Sequence, residues 1–404
     1  MNVSRSGSRI ALAAVLAGTL AATAGTAAAA AGRRSAPASK SPIVLVQVTD
    51  QGGISTDQGF LLDGSRAAAK AINKAGGVDG HPIKINKCDA GADPNKAEAC
   101  GRAAVDDGIV SFVGNLSGVA EKIVPIASPA GIPTVAPFAV SFPELTDPSS
   151  FPITGASLAS VPGSAAQLAD AGAEKIHNVY LDVPAGAFTG TLIDLALKPR
   201  GMELNGSTAV PTAAPDMTSY VQSAISDGTD AIMLNTTAED SARFIVAARQ
   251  AGFKGKISVT SAVVTPDFLE GLGDPANGLY VANLTRPGTQ VKIPAVRQML
   301  KEFKAYKSDI AINDSSTQAW AGVHLIADAL TGAGTLDGTT LQSALNEDRE
   351  WDLGIAPPVN FTKPVPVSLV PGARVFNLTV LYTRVKEGKL VAKGDFIDPT
   401  VAPS

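Results

Sequence analysis

Short apolar, β-branched runs recur along the chain, each followed by a helix-length stretch, and no other feature constrains the fold as strongly. Ile43-Val44-Leu45-Val46-Gln47-Val48 opens the series as a buried strand. A helix follows with Leu61, Ala68 and Ile72 at near-helical spacing, and Asn73-Lys74-Ala75-Gly76-Gly77 stops it as glycine C-caps do. Residues 81–85, 109–113 and 134–136 read as further strands, with helices over 93–107 and 119–130 between them. Strands separated by helices require right-handed βαβ crossovers, and so a parallel doubly wound sheet. The pattern restarts near Gly155. Strands at 177–181, 230–234, 257–260 and 279–281 alternate with helices, two consecutive helices follow at 295–307 and 317–331, and a hairpin turns at Glu387-Gly388. The expected fold class is α/β, with two halves that each form one lobe.

Composition narrows the function. Of 404 residues, 45% are apolar and 17% charged, and 33 basic against 37 acidic side chains leave a net charge of −4. There is no basic excess to neutralise a phosphate backbone, which argues against nucleic-acid binding. The two cysteines are too few for a four-thiolate zinc site. Residues 1–31 carry Arg5 and Arg9 but no acid, then an apolar run from Ile10 to Leu20, then small residues up to Ala31. That order reads as a secretory signal peptide cleaved within 27–31. Its strongly apolar part falls short of the ~20 residues of a membrane span. Leu16-Ala17-Gly18-Thr19 has Thr where a lipoprotein box has the acylated Cys. Residues 32–42 read as a flexible linker. An exported, soluble monomer is expected. Cys88 and Cys100 are then expected to pair, closing a short loop worth ~3 kcal/mol in the chain-entropy model; two free buried thiols are the alternative.

Three stretches carry a family resemblance. Leu62 through Gly80 reads L-x-G-x-x-x-A-x-x-x-I-N-x-x-G-G-V-x-G, with Gly64, Ala68, Ile72, Asn73, Gly76, Gly77 and Gly80 as its fixed points. Residues 134–146 hold T-V-A-P and then P-E-L-T, and Gln250-Ala251-Gly252-Phe253 closes a helix rich in Ala and Arg. In this order along residues 43–404 the chain resembles the type I periplasmic solute-binding proteins of the leucine/isoleucine/valine-binding family. The resemblance implies two Rossmann-like lobes joined by three hinge strands. Lobe 1 would hold 43–156 plus 286–354, and lobe 2 would hold 157–285 plus 355–404. It also implies solute capture in the cleft by hinge closure, and delivery to the membrane permease and ATPase subunits of an ABC transporter. No cofactor or metal is expected.

In open α/β sheets ligands bind beyond the carboxyl ends of the strands. Here those loops are 49–59, 114–119, 136–142, 182–190, 235–240 and 260–267. Gly114-Asn115-Leu116-Ser117-Gly118 runs straight into a helix, where a hydroxyl and free N–H groups can hold a carboxylate. The family uses this loop for the solute's carboxylate, which points to Ser117 and Gly118; a plain N-cap at Ser117 is the alternative. The departures from the family are informative. Phe138, Ala139, Val140 and Ser141 stand where the family has a small residue and then Thr. The acid that holds an ammonium would fall near Ser261 or Ala262, with no acid adjacent in sequence. Phe188 is the only aromatic in the 182–190 loop, Thr237 replaces a Tyr, and Trp320 stands where the family often has Tyr or Phe near the cleft. Trp320 reads equally as a core aromatic. A buried ammonium without a carboxylate partner is costly, so a free α-amino acid is disfavoured against a small carboxylate, amide or neutral solute. Asp50, Asp182 and Asp240 keep an anionic partner available.

Enzyme signatures are missing from the sequence. No G-x-S-x-G elbow and no Walker A motif occurs, and His81, His177 and His324 are scattered. Two readings remain: the binding subunit of an importer, or a sensing module that presents solute to a receptor or regulator.

Overall fold

The computed structural model describes residues 40–50, 59–211 and 214–403. The expected signal peptide, the linker up to residue 39 and residues 51–58 of the first loop lie outside the described residues. The first sheet contains β1 (Ile43–Thr49), β2 (Ile83–Asp89), β3 (Ser111–Val113), β4 (Thr134–Val135) and β5 (Ser150–Phe151). Its order is β2-β1-β3-β4-β5 and all pairs are parallel, with Ile43 opposite Ile83 and Leu45 opposite Ser111. The helices of this stretch are α1 (Gly59–Lys74), α2 (Pro94–Asp106), α3 (Val124–Ala127) and α4 (Phe142–Thr146). Asp93 caps α2 by accepting from the Asn95 N–H, with Pro94 at the first helical position. The continuous helix expected over 119–130 is broken into short turns around the four-residue α3. Pro125 and Pro129 each remove a backbone donor there and crowd the preceding turn.

The second sheet holds β6 (Ile176–Leu181), β7 (Gly206–Val210), β8 (Ala231–Asn235), β9 (Lys256–Val259), β10 (Tyr280–Asn283), β11 (Leu381–Lys386) and β12 (Lys389–Ala392), in order β12-β11-β10-β9-β8-β6-β7. β6 to β10 pair in parallel, and the late hairpin adds β11 and β12 antiparallel. Its helices are α5 (Ser157–Asp170), α6 (Pro184–Ala187), α7 (Thr189–Leu197), α8 (Thr218–Ala224), α9 (Ala238–Gln250) and α10 (Pro266–Leu272).

Three further helices, α11 (Pro294–Tyr306), α12 (Asp314–Leu330) and α13 (Gly338–Leu345), complete the described helices. α11 and α12 both pack on α1, so the chain returns to the first sheet after β10. α12 is buried along nearly its whole length, and it brings Trp320, Val323 and Ile326 into one core with Leu45, Val113, Phe151 and Met299. Trp351, Ile355, Val359, Phe361 and Phe376 belong to that same core, whereas Val367, Val370, Val375 and Val380 pack with the second sheet. Packing therefore keeps the chain in the first core past the 354/355 boundary that the family resemblance implies. Asp314 anchors the crossing that follows β10. Its carboxylate accepts from the Leu284 N–H at 2.7 Å, the Thr285 N–H at 2.9 Å and the Thr285 hydroxyl at 2.6 Å. Cys88 at the end of β2 and Cys100 in α2 form a disulfide.

Gly64 explains one fixed point of the resemblance. A Cβ there would lie 2.4 Å from the Ser316 carbonyl oxygen, so only glycine lets α1 and α12 come this close. Gly64→Ala is expected to cost about 1–3 kcal/mol by forcing the two helices apart, read as a lower urea midpoint at unchanged slope; an unchanged midpoint would mean that the contact is not tight.

Candidate functional site

Parallel order places a switch point in each sheet. From β1 the chain crosses one way to β2 and then back to β3, so the loops after β1 and β3 part and leave a crevice; β6 and β8 do the same in the second sheet. The carboxyl ends of both sheets approach each other at the crossings. Phe138 and Ala139, after β4, pack against the second core. Asn313, which caps α12, donates to the Ala262 carbonyl after β9 at 3.1 Å.

At the first switch point β1 delivers Asp50 and β3 delivers 114–118. Gly114 turns the chain with φ +60, where a Cβ would strike Ala319 at 2.8 Å. The Asn115 side-chain oxygen accepts from the Val48 N–H at 2.9 Å and ties this loop to β1. The Ser117 hydroxyl donates to Asp50 Oδ1 at 2.9 Å, and the Gly118 N–H donates to Asp50 Oδ2 at 2.7 Å. Ser117 also accepts from the Val119 N–H at 3.3 Å. The two donors expected to hold a solute carboxylate thus hold one that belongs to the chain. Asp50 is 4% exposed and Ser117 1%.

Beside them, Ser141 does not offer its hydroxyl to the cleft. It caps α4 and donates to Glu144 Oε2 at 2.9 Å, and the Val140 and Ser141 N–H groups reach the same oxygen at 3.2 Å. This is the reciprocal Ser-x-x-Glu cap, readable in the sequence from the three-residue spacing. Glu144 is fully buried. Burial pushes its carboxyl from 4.5 to about 7; the three hydrogen bonds oppose the shift and the Asp50 charge adds to it. Val140 is exposed, Phe138 is half-buried and Phe142, which the sequence reading did not select, is largely exposed.

In the second sheet, Phe188 stands between α6 and α7 and is 43% exposed. A polar chain runs beneath it: Asn235 donates to Asn178 at 2.8 Å, Asn178 donates to the Thr189 hydroxyl at 2.9 Å, and that hydroxyl donates to the Gly186 carbonyl at 2.7 Å. Thr237 is engaged as the cap of α9, accepting from the Asp240 N–H at 3.1 Å and donating to the Asp240 carboxylate at 2.9 Å. Ser261 is buried near Asp314, whose carboxyl is pushed up by burial and held down by hydrogen bonds from the Thr285 hydroxyl and the Leu284 and Thr285 N–H groups. An acid does face Ser261, but from α12, where no local reading could find it. Trp320 is a core residue. It is 3% exposed, and its indole N–H donates to Glu302 at 2.7 Å, alongside His324 at 2.8 Å. The structure thus gathers Ser117 and Gly118 on Asp50 and Val140 and Ser141 on Glu144, and packs Trp320 in the first core.

No group of side chains able to hold a metal ion occurs among the described residues. No helix among them is long and apolar enough to cross a membrane.

Two doubly wound sheets whose switch points both carry polar groups, linked by repeated crossings, define the type I periplasmic-binding-protein fold. The periplasmic binding protein family matches residues 43–365, and the chain belongs to it. The Leu/Ile/Val-binding protein of Escherichia coli K12 is 25% identical over 258 residues, covering 63% of this chain and 69% of that one. Among solved structures, a fatty acid ABC transporter substrate-binding protein from Thermomonospora curvata is 18% identical with a TM-score of 0.76, covering 90% of this chain and 94% of its own. The branched-chain amino acid transporter substrate-binding protein LivJ of Streptococcus pneumoniae, in complex with isoleucine, is 17% identical with a TM-score of 0.72, covering 89% of this chain and 100% of its own.

Glu144 generates a pH signature. With a folded-state pKa above its unfolded value, the native state binds the extra proton, so stability falls as pH rises from 4.5 to about 7 and is level above that. The contribution is about 3 kcal/mol. Subtracting the stability profile of Glu144→Gln from that of the wild type should isolate this fall; a flat difference would place Glu144 in a wetter or better-bonded site.

Proposed function

We propose that the chain is the extracytoplasmic solute-binding subunit of an ABC importer of the branched-chain amino acid type. It captures a small organic solute between its lobes by hinge closure and passes it to a membrane permease driven by ATPase subunits. The observation that carries this reading is the pair of switch-point crevices on separate sheets, joined by crossings that Asp314 and Asn313 pin at α12. A rigid lobe on each side of such crossings is what hinge closure requires. Solute must bind the closed state better than the open one, since equal affinity for both shifts nothing.

The residues lining the crevices favour a solute that brings no carboxylate to the first lobe. Asp50 and Glu144 make one corner of the first lobe acidic, and Val140, Phe142 and Phe188 add exposed apolar surface. Family membership supports export, and the monomer is the working form. The E. coli relative is named for leucine, isoleucine and valine, and the T. curvata neighbour for a fatty acid. Within that range an amide or neutral solute suits this chain better than a free α-amino acid.

Mass spectrometry of ligand released from the purified protein identifies the solute class directly. Re-adding that compound to stripped protein should raise Tm and reduce the radius of gyration in solution scattering, as closure demands. A compound that raises Tm with no change in radius, or one that is chemically turned over, would contradict capture by closure.

A further inference from the structure

The crevice between β1 and β3 already holds a carboxylate. Both Asp50 oxygens are engaged, one by the Ser117 hydroxyl at 2.9 Å and the other by the Gly118 N–H at 2.7 Å. A solute carboxylate placed here would need these same two donors. We propose that Asp50 is a built-in occupant of a carboxylate subsite, so that the first lobe turns away a solute carboxylate at this corner and favours a solute presenting a hydrogen-bond donor or a positive group. The consequence for solute choice rests on the solute-binding reading above; the occupancy itself does not.

Three observations carry the inference. Asp50 is the first residue after β1, and the donors follow β3, so the pair spans the switch point where doubly wound sheets bind their ligands. Asp50 and Ser117 are both buried, so removing Asp50 from the site would leave a charge and two donors seeking new partners. Glu144 is fully buried and close enough for the Asp50 charge to disfavour its ionisation. A solute carboxylate would face the Asp50 charge in the same low-dielectric corner, where like charges repel.

The test is rescue by acetate. Removing the side chain in Asp50→Gly leaves the Ser117 hydroxyl and the Gly118 N–H aimed at a space shaped for a carboxylate. Thermal unfolding of the purified exported protein is followed while sodium acetate replaces sodium chloride at constant ionic strength. Asp50→Gly should start at a lower Tm and regain about 2–4 °C saturably with acetate. Wild type should show no saturable rise, and Asp50→Gly/Ser117→Ala should lose at least half of it. No rise in Asp50→Gly, an equal rise in wild type, or an undiminished rise in the double variant would overturn the proposal. Should Asp50→Gly not fold, Asp50→Ser in the same titration decides by the same criteria. Acetate rescue is independent of transport: a protein that never closes on a solute fails the functional proposal and leaves this one standing.

Discussion

Every strand of the first sheet runs parallel to its neighbours, so each must be reached by a crossover, and the crossovers part between β1 and β3. The loops there cannot satisfy one another through a strand ladder. Their polar groups must find other partners, because an unpaired buried donor costs about 1–3 kcal/mol. In this chain Asp50 answers the need for Ser117 and Gly118, and Asn115 does so for Val48. The gap at the switch point is thus partly filled from within.

Buried carboxyl groups recur where the chain must hold its shape without regular structure. Asp314 gathers the crossing after β10, Glu144 closes the cap of α4, and Asp50 spans the switch point. Each is costly to bury, as the upward push on Asp314 and Glu144 records, and each is kept in place by several donors. Such groups specify one arrangement more than they add stability. A carboxylate bonded to successive N–H groups of one crossing, as Asp314 is to Leu284 and Thr285, fixes where that segment begins.

Much of the fold was legible because its signals are local. The β-branched run at 43–48, the Gly-Gly stop at 76–77 and the restart near Gly155 are patterns of near neighbours. β7 was not legible: Gly206-Ser207-Thr208-Ala209-Val210 is small and half polar, and it is a strand because it borders β6. The run at 119–130 looked helical by its apolar spacing, while its two prolines dictate short turns. The site was half legible. The loop at 114–118 was read as a pair of carboxylate donors, and the carboxylate they hold in the structure lies 67 and 68 positions away in sequence. Ser141 and Thr237 were read against a family template and proved to be helix caps, a role that their own local spacing to Glu144 and Asp240 encodes. Trp320 was read both as a core aromatic and, from the same template, as a residue near the cleft; Glu302 one helix away holds its indole in the core.

A crystal structure of the protein with its own solute tests most directly whether the two switch-point donors stay with Asp50 when solute is bound. Asp50 should remain bonded to the Ser117 hydroxyl and the Gly118 N–H, with the solute presenting a donor or an apolar face to that corner. A solute carboxylate seated on Ser117 and Gly118, with Asp50 rotated away, would contradict it.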